Sequence, residues 1–422
     1  MPRPRLLYLA TRFPWPLDRG DRIRAYRLIE QFSSLAEVTL VTFHDRPAIE
    51  APVDRILPFC ERVEVVHLPR ETGVANMLAA VPGRLPFQVA HYRSPAMETL
   101  VDRLAREPWD LAFAQLFRMR PYLDRIRARR KVLELSDSLA LNLERAAAIK
   151  PWWAQVPFRV EWRRVERYER ESLSRADESW VVAEPDKADL LARSPGARIE
   201  VIPMGLEDRW GGAGLTVEKD RHVLFLGNLT VGHNLDTARY LVGVIWPRVR
   251  AVIPDAQLTL VGSAGPRATR LADPVSGVAV TGFVDDLSPL LSRAMFGVAP
   301  LRYGAGLQNK VIELMSAGLP SVVTPMVADG IGEDARAALV VAPAPEQFAD
   351  AMVRLLRDPE RARAMGIAGR EFVRTRYSWT PARERMAELL RETESVQRDL
   401  RDLRSYPDPS SPPPPPPPAD TP

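Results

Sequence analysis

Short runs of consecutive apolar residues recur along the chain, separated by longer stretches in which apolar positions return every three or four residues. RLLYLA (5–10), EVTLVTF (37–43), RVEVVHL (62–68), LAFAQL (111–116), KVLEL (131–135), SWVVA (179–183) and RIEVIP (198–203) read as strands. Apolar residues at neighbouring positions, rather than alternating ones, predict strands covered on both faces. Helix-patterned stretches such as 21–35 and 95–107 stand between them, the order expected of a parallel-sheet α/β domain. The series then restarts with HVLFLG (222–227), AQLTLVG (256–262), VAVTGF (278–283), MFGVAPL (295–301) and PSVVT (320–324), with helices at 234–252, 285–293 and 307–317. The glycine- and charge-rich EDRWGGAGLTVEKD (207–220) reads as the linker. The expected fold is therefore α/β, with two Rossmann-like parallel-sheet domains at 1–207 and 208–380. Facing one another, they would leave a cleft at their strand carboxyl ends, where open sheets bind ligands. Helical patterns follow at 345–358 and 359–377, then a C-terminal helix at 381–404. The tail, 405–422, contains SSPPPPPPP and reads as a disordered polyproline II segment with nothing to bury.

Composition narrows the function classes. A chain of 422 residues exceeds one ordinary core, and 46% hydrophobic residues suffice for two. Fifty-eight basic against 54 acidic residues leave a formal charge of +4. That near-balance gives no support for a nucleic-acid binder. Cys60 is the only cysteine, so no intrachain disulfide can form and a reducing compartment is expected. The five histidines lack metal-ligand spacing, and no metal site is expected. No apolar run reaches the roughly 18 residues of a membrane span, and the N-terminal run is too short for a signal peptide. These features predict a cytoplasmic protein, with peripheral attachment at the inner membrane face left open.

The stretch YGAGLQNKVIELMSAGLPSVVT (303–324) carries the candidate chemistry. On a helix of 100° per residue, Leu307, Val311, Leu314 and Met315 form one apolar stripe, with Asn309, Lys310 and Glu313 on the opposite side. A solvated helix face would look the same. Three features favour a ligand site. The helix directly follows a buried-looking strand. Gly304 and Gly306 leave backbone N–H groups unshielded beside the positive end of a helix dipole, a ready anion site. Lysine is also scarce in this chain, with only Lys131, Lys150, Lys187, Lys219 and Lys310. A diphosphate at the helix start, with Lys310 neutralising charge and Glu313 accepting from ribose hydroxyls, fits these residue types.

APLRYGAGLQNKVIELMSAGLPSVVT resembles the donor-site segment of family 4 glycosyltransferases, which have the two-domain GT-B fold. More narrowly it resembles the sugar transferases associated with exopolysaccharide and exosortase gene clusters. TRFPWPLDRGDRIRAYRLIEQF, VEWRRVERYERESLSRADESWVVAEPDK (160–187) and RYSW (376–379) match that group's other landmarks in order. The resemblance implies a retaining, metal-independent hexosyltransferase, with a nucleotide diphosphate sugar as donor substrate and no cofactor. It further implies a saccharide or polyisoprenoid-linked acceptor, and a C-terminal helix that crosses back to the first domain. The absence of any Asp-x-Asp is consistent with a metal-free site, in which fixed N–H dipoles and cations must stabilise the leaving diphosphate. Lys310, the Gly304–Gly306 turn and Arg302 are the candidates.

Departures from the family pattern sit nearby. Ala305 stands where the broader family has a glutamate contacting the transferred sugar. FLGNLTVGHN (225–234) offers Asn228 and Asn234 where the broader family has an arginine and a lysine. They motivate an alternative reading as a non-catalytic nucleotide-sugar-binding or scaffold protein. A sugar-nucleotide epimerase is a second alternative, but no convincing acid–base pair supports it. No G-x-G-x-x-G follows either domain's first strand, which disfavours a dehydrogenase.

In the first domain, PLDRGDRIR (16–24) places Gly20 at a strand-to-helix turn, suited to close approach by phosphates or acceptor. Asp21 reads equally well as a ligand contact or as an N-cap. Arg22 and Arg24 are candidates for an anionic acceptor or for a solvated face. Gln115, Arg118 and Asp137 lie at strand ends, and Gln115 and Asp137 are candidates to touch the sugar or acceptor. KPWWAQVPFRVEWRRVERYERESLSR (150–175) reads as a long helix with an aromatic core face and i,i+4 ion pairs, or else as a lipid-facing segment. The apolar 74–92 loop is another candidate lipid or acceptor contact.

Overall fold

The computed structural model describes residues 3–148, 152–205, 221–303 and 307–405, with side chains for all of these except 152–154 and 394–405. The 207–220 linker, the Gly304–Gly306 turn and the proline-rich tail beyond residue 405 lie outside the described residues.

Seven strands form the first sheet: β1 (Arg5–Ala10), β2 (Glu37–His44), β3 (Arg62–His67), β4 (Trp109–Gln115), β5 (Ala128–Ser136), β6 (Glu178–Val181) and β7 (Ile199–Val201). Their order is β3-β2-β1-β4-β5-β6-β7, and every neighbouring pair is parallel. The consecutive apolar residues of β1 explain why. Leu7 and Leu9 enter the core on one face, while Leu6, Tyr8 and Ala10 enter the core on the other. The second face is covered by helix α1 (Gly20–Ser33), through Ala25, Leu28, Ile29 and Phe32.

The second sheet runs β8 (His222–Leu226), β9 (Gln257–Val261), β10 (Val278–Gly282), β11 (Ala294–Ala299), β12 (Ser321–Val323) and β13 (Leu339–Val341). Its order is β10-β9-β8-β11-β12-β13, again all parallel. Strand β13 has no counterpart in the sequence reading. The expected 234–252 helix is α-helical at both ends, but Leu241–Ile245 form a π turn. Pro247 follows one residue after that turn, and a proline there supplies no N–H and crowds the preceding turn.

In both sheets the strand order reverses beside the first strand, between β1 and β4 and between β8 and β11. A crevice opens at the carboxyl ends of such a pair. The long helix α2 (Trp152–Leu173) lies in the first half of the chain. The last helix, α5 (Thr380–Ser405), places Ala382, Met386, Leu389 and Leu390 in the same core as α1. Arg385 of α5 donates to the fully buried Glu178 of β6, with Nε–Oε1 at 3.2 Å. In RYSW, Tyr377 donates its hydroxyl to the Ile331 carbonyl at 3.0 Å, while Trp379 packs against the first domain's core.

Candidate active site

Helix α3 (Gly232–Tyr240) follows β8, and helix α4 (Asn309–Ser316) follows β11, so both start at the second sheet's switch point. Val311, Ile312, Leu314 and Met315 anchor α4 in the core. Its end is a Schellman turn: Gly318, at φ 75°, donates to the Met315 carbonyl, and Leu319 donates to that of Leu314, both at 2.9 Å. A helix pinned at that end and along that face has its polar positions fixed in direction.

Lys310 Nζ donates to Asn234 Oδ1 at 2.6 Å and sits 5.3 Å from the Phe225 ring centroid. Asn234 Nδ2 in turn donates to the Asn228 carbonyl at 3.0 Å. The loop after β8 comes close enough because Gly262 has φ 133° and no side chain. A Cβ there would lie 2.2 Å from the Gly227 carbonyl oxygen. Burial, with no carboxylate partner among the described residues, pushes the Lys310 ammonium down to about 7. His233, on the same turn as Asn234, is lowered to about 4 by burial and by the Lys310 charge. Asn309 and Glu313 are half-buried, Asn309 beside Lys310 and Glu313 one turn further along α4.

Arg302 is engaged elsewhere. It donates to both carboxylate oxygens of Asp236, at 2.8 and 2.9 Å, and stacks 4.8 Å from the Tyr240 ring. Gly304 and Gly306, the other predicted phosphate contacts, fall outside the described residues.

The first sheet's switch point gathers a second set of groups. Gly20 begins α1, is exposed, and faces open space, since a Cβ would meet nothing within 4 Å. Asp21 is not the N-cap. That position is Arg19, without a capping side chain, and Asp21 lies in the first turn, ion-paired to Arg12. Burial would raise the Asp21 carboxyl, but Arg12 and then Arg118 outweigh it and hold it below its usual value. Buried Gln115 donates to the Asp21 carbonyl at 2.8 Å, which positions the turn. Asp137 follows β5, and burial together with Asp186 pushes its carboxyl up to about 7.

Arg24 overturns its expected role. It is buried beneath α1, donating to Glu134 Oε1 at 2.8 Å and to the Ile202 carbonyl at 2.9 Å, out of reach of an acceptor. Arg24 lies one turn before Leu28, on the side of α1 that is turned to the sheet. Arg22 is paired with Asp18 at 2.9 Å.

Solved structures of similar fold align with nearly the whole chain. Sucrose-phosphate synthase from Thermosynechococcus elongatus superposes with a TM-score of 0.68 at 19% identity, covering 93% of this chain and 100% of that one. The fold is GT-B. WaaG, a glycosyltransferase involved in lipopolysaccharide biosynthesis, gives 0.62 at 16% identity, covering 91% and 99%. Anabaena HepE, solved with UDP and glucose, gives 0.61 at 14% identity, covering 92% and 99%. In sequence, residues 220–358 match the family described as glycosyl transferases group 1. Those residues include Lys310, Asn234 and Glu313. A GDP-mannose-dependent monoacylated α-(1-6)-phosphatidylinositol monomannoside mannosyltransferase of Corynebacterium glutamicum is 32% identical over 168 residues, 34% of this chain. The match spans 41% of that relative's length.

The sequence marks Asn234 only as a position where the broader family has a cation, not as a site residue. Its amide ties the two loops of the switch point together and orients Lys310. The parallel strand order, which a sequence does not print, is the signal that would have singled it out.

Proposed function

We propose that the chain is a retaining, metal-independent glycosyltransferase that moves a hexose from a nucleotide diphosphate sugar to a lipid-linked or polysaccharide acceptor. One observation carries the reading: a desolvated lysine, Lys310, held by Asn234 at the second sheet's switch point, within the segment that matches group 1 glycosyl transferases. An ammonium with no carboxylate partner among the described residues is suited to a diphosphate. The backbone N–H groups at the start of α4 add to the same field. Glu313, one turn on, is assigned to the ribose hydroxyls.

In the transfer, the bond from the anomeric carbon to the donor's phosphate oxygen breaks as the acceptor oxygen bonds on the same face of the sugar. The leaving phosphate oxygen takes the acceptor's proton, so the chain need supply neither nucleophile nor general base. Lys310 answers the charge that develops on the diphosphate, and closing the cleft excludes water that would hydrolyse the donor. The relatives' names select the first donors to test, GDP-mannose and UDP-glucose.

The test is calorimetric titration of wild type and Glu313→Ala with UDP and GDP in the absence of metal, followed by assays for sugar release from the matching nucleotide sugar. Binding of one nucleotide, weakened by about 1–3 kcal/mol in the variant, with slow sugar release, is expected. Binding without turnover on any acceptor would favour the scaffold reading, and no binding would refute the donor site.

A contact with the membrane belongs to the same proposal. Among the described residues no helix is long and apolar enough to cross a membrane. Val74, Leu78 and Val81 are nevertheless exposed, and Arg164 of α2 reaches the Val81 carbonyl at 2.6 Å, near the exposed Val156 and Val160 of the same helix. Flotation with anionic vesicles, reduced by Leu78→Asp, is the expected result. Equal flotation of the two proteins would remove this surface from the proposal.

A further inference from the structure

Resting on the transferase reading, we infer that the first domain's switch point is a phosphate site built on Arg118 and Arg12, and that the acceptor is therefore a phosphate-bearing molecule. Arg12 follows β1 and Arg118 follows β4, the two strands between which the sheet order reverses. Both guanidiniums lie over one aromatic ring, with their Cζ atoms 6.0 and 5.8 Å from the Tyr92 centroid.

Their partners differ. Arg12 is ion-paired with Asp21. Arg118 makes no hydrogen bond to any described residue, and its Nε is fully enclosed without a partner. Arg118 is half-buried, and an enclosed Nε donor left without a partner is costly. Placing it beside a second guanidinium adds repulsion. An anion with several acceptor oxygens resolves both, and arginine's fork matches a phosphate.

The remaining charges agree. Asp137 is the other carboxyl within electrostatic range of Arg118, and its carboxyl is pushed up to about 7, so near neutrality it is partly protonated. Asp21 serves both guanidiniums, which leaves the pair of arginines with an excess of positive charge. Gly20, next to Asp21, is exposed at the start of α1. The donor's own phosphates have a separate cation in the second domain, Lys310.

The experiment uses the full chain saturated with whichever nucleotide it binds. It is titrated with inorganic phosphate, with glucose 6-phosphate, with dihexanoyl phosphatidic acid, and with glucose as the uncharged control. Wild type is expected to bind at least one phosphate compound and not glucose. Arg118→Met should weaken that binding at least tenfold while nucleotide affinity stays unchanged, and Arg118→Lys should restore part of it. Preference for glucose 6-phosphate would name a soluble sugar phosphate as the source, and preference for phosphatidic acid a lipid headgroup. Phosphate binding that is absent, or equal in Arg118→Met, overturns the inference. So does loss of nucleotide affinity in a folded Arg118→Met, which would assign Arg118 to the donor. If no nucleotide binds, the transferase reading fails by itself, and the phosphate titrations without nucleotide still decide whether the site exists.

Discussion

The proposed role of Lys310 makes nucleotide binding depend on proton concentration in a way that can be worked out in advance. With its ammonium at about 7 in the empty site, the lysine is about one-tenth protonated at pH 8 and about one-hundredth at pH 9. A bound diphosphate favours the charged form, so association must take up a proton wherever the empty site has lost one. The sign follows: affinity falls as pH rises. Between pH 8 and 9 the loss should approach tenfold, about 1.4 kcal/mol, with nearly one proton taken up per nucleotide. His233, lowered to about 4, is neutral throughout this window and does not contribute. Asp137 and Glu169, raised to about 7 and about 8, titrate nearby in pH but belong to the first domain. Lys310→Met separates them, since any proton uptake that survives in the variant comes from elsewhere. The assay is calorimetric titration of the nucleotide in two buffers of different ionisation enthalpy. A pH-independent affinity, with heats that do not depend on buffer, would refute the reasoning.

Two further outcomes test the architecture around the sites. Gly297→Ala places a Cβ 2.3 Å from Leu314 Cδ1, so denaturant unfolding should show a loss of about 1–3 kcal/mol, and displacement of α4 should weaken nucleotide binding too. Unchanged stability would mean that β11 and α4 are not in the contact described. Arg24→Met strands Glu134 as a buried carboxylate, with Ser136 Oγ as its remaining donor at 2.7 Å. That change should cost about 3–5 kcal/mol, and adding Glu134→Leu should recover most of it. A variant as stable as wild type would return Arg24 to the candidate ligand contacts.

Much of the α/β architecture is legible because each strand's own residues state its environment. LLYLA can be buried on both faces only between two helical layers, and β1 is. β13 escaped notice because LVV is three residues long and follows an alanine-rich segment. It becomes a strand by pairing Leu339 with Ser321 of β12. The candidate residues divide along the same line. Lys310 stood out by its position in a short motif, whereas the assignments of Arg24 and Asp21 required knowing which way α1 turns on the sheet.

By itself the sequence determined the alternation of buried strands and helices, the restart of that series, and the residue types gathered between positions 303 and 324. Those properties are local: burial pattern and helical period are carried by neighbours in the chain. Only the tertiary structure decided that Asn234 holds Lys310, 76 residues away, that Arg24 is locked to Glu134 across 110 residues, and that Arg12 and Arg118 share one aromatic ring. Such pairings depend on strand order and on the direction each helix face points. Both are settled when the whole sheet closes over its core, not by any stretch of residues read alone.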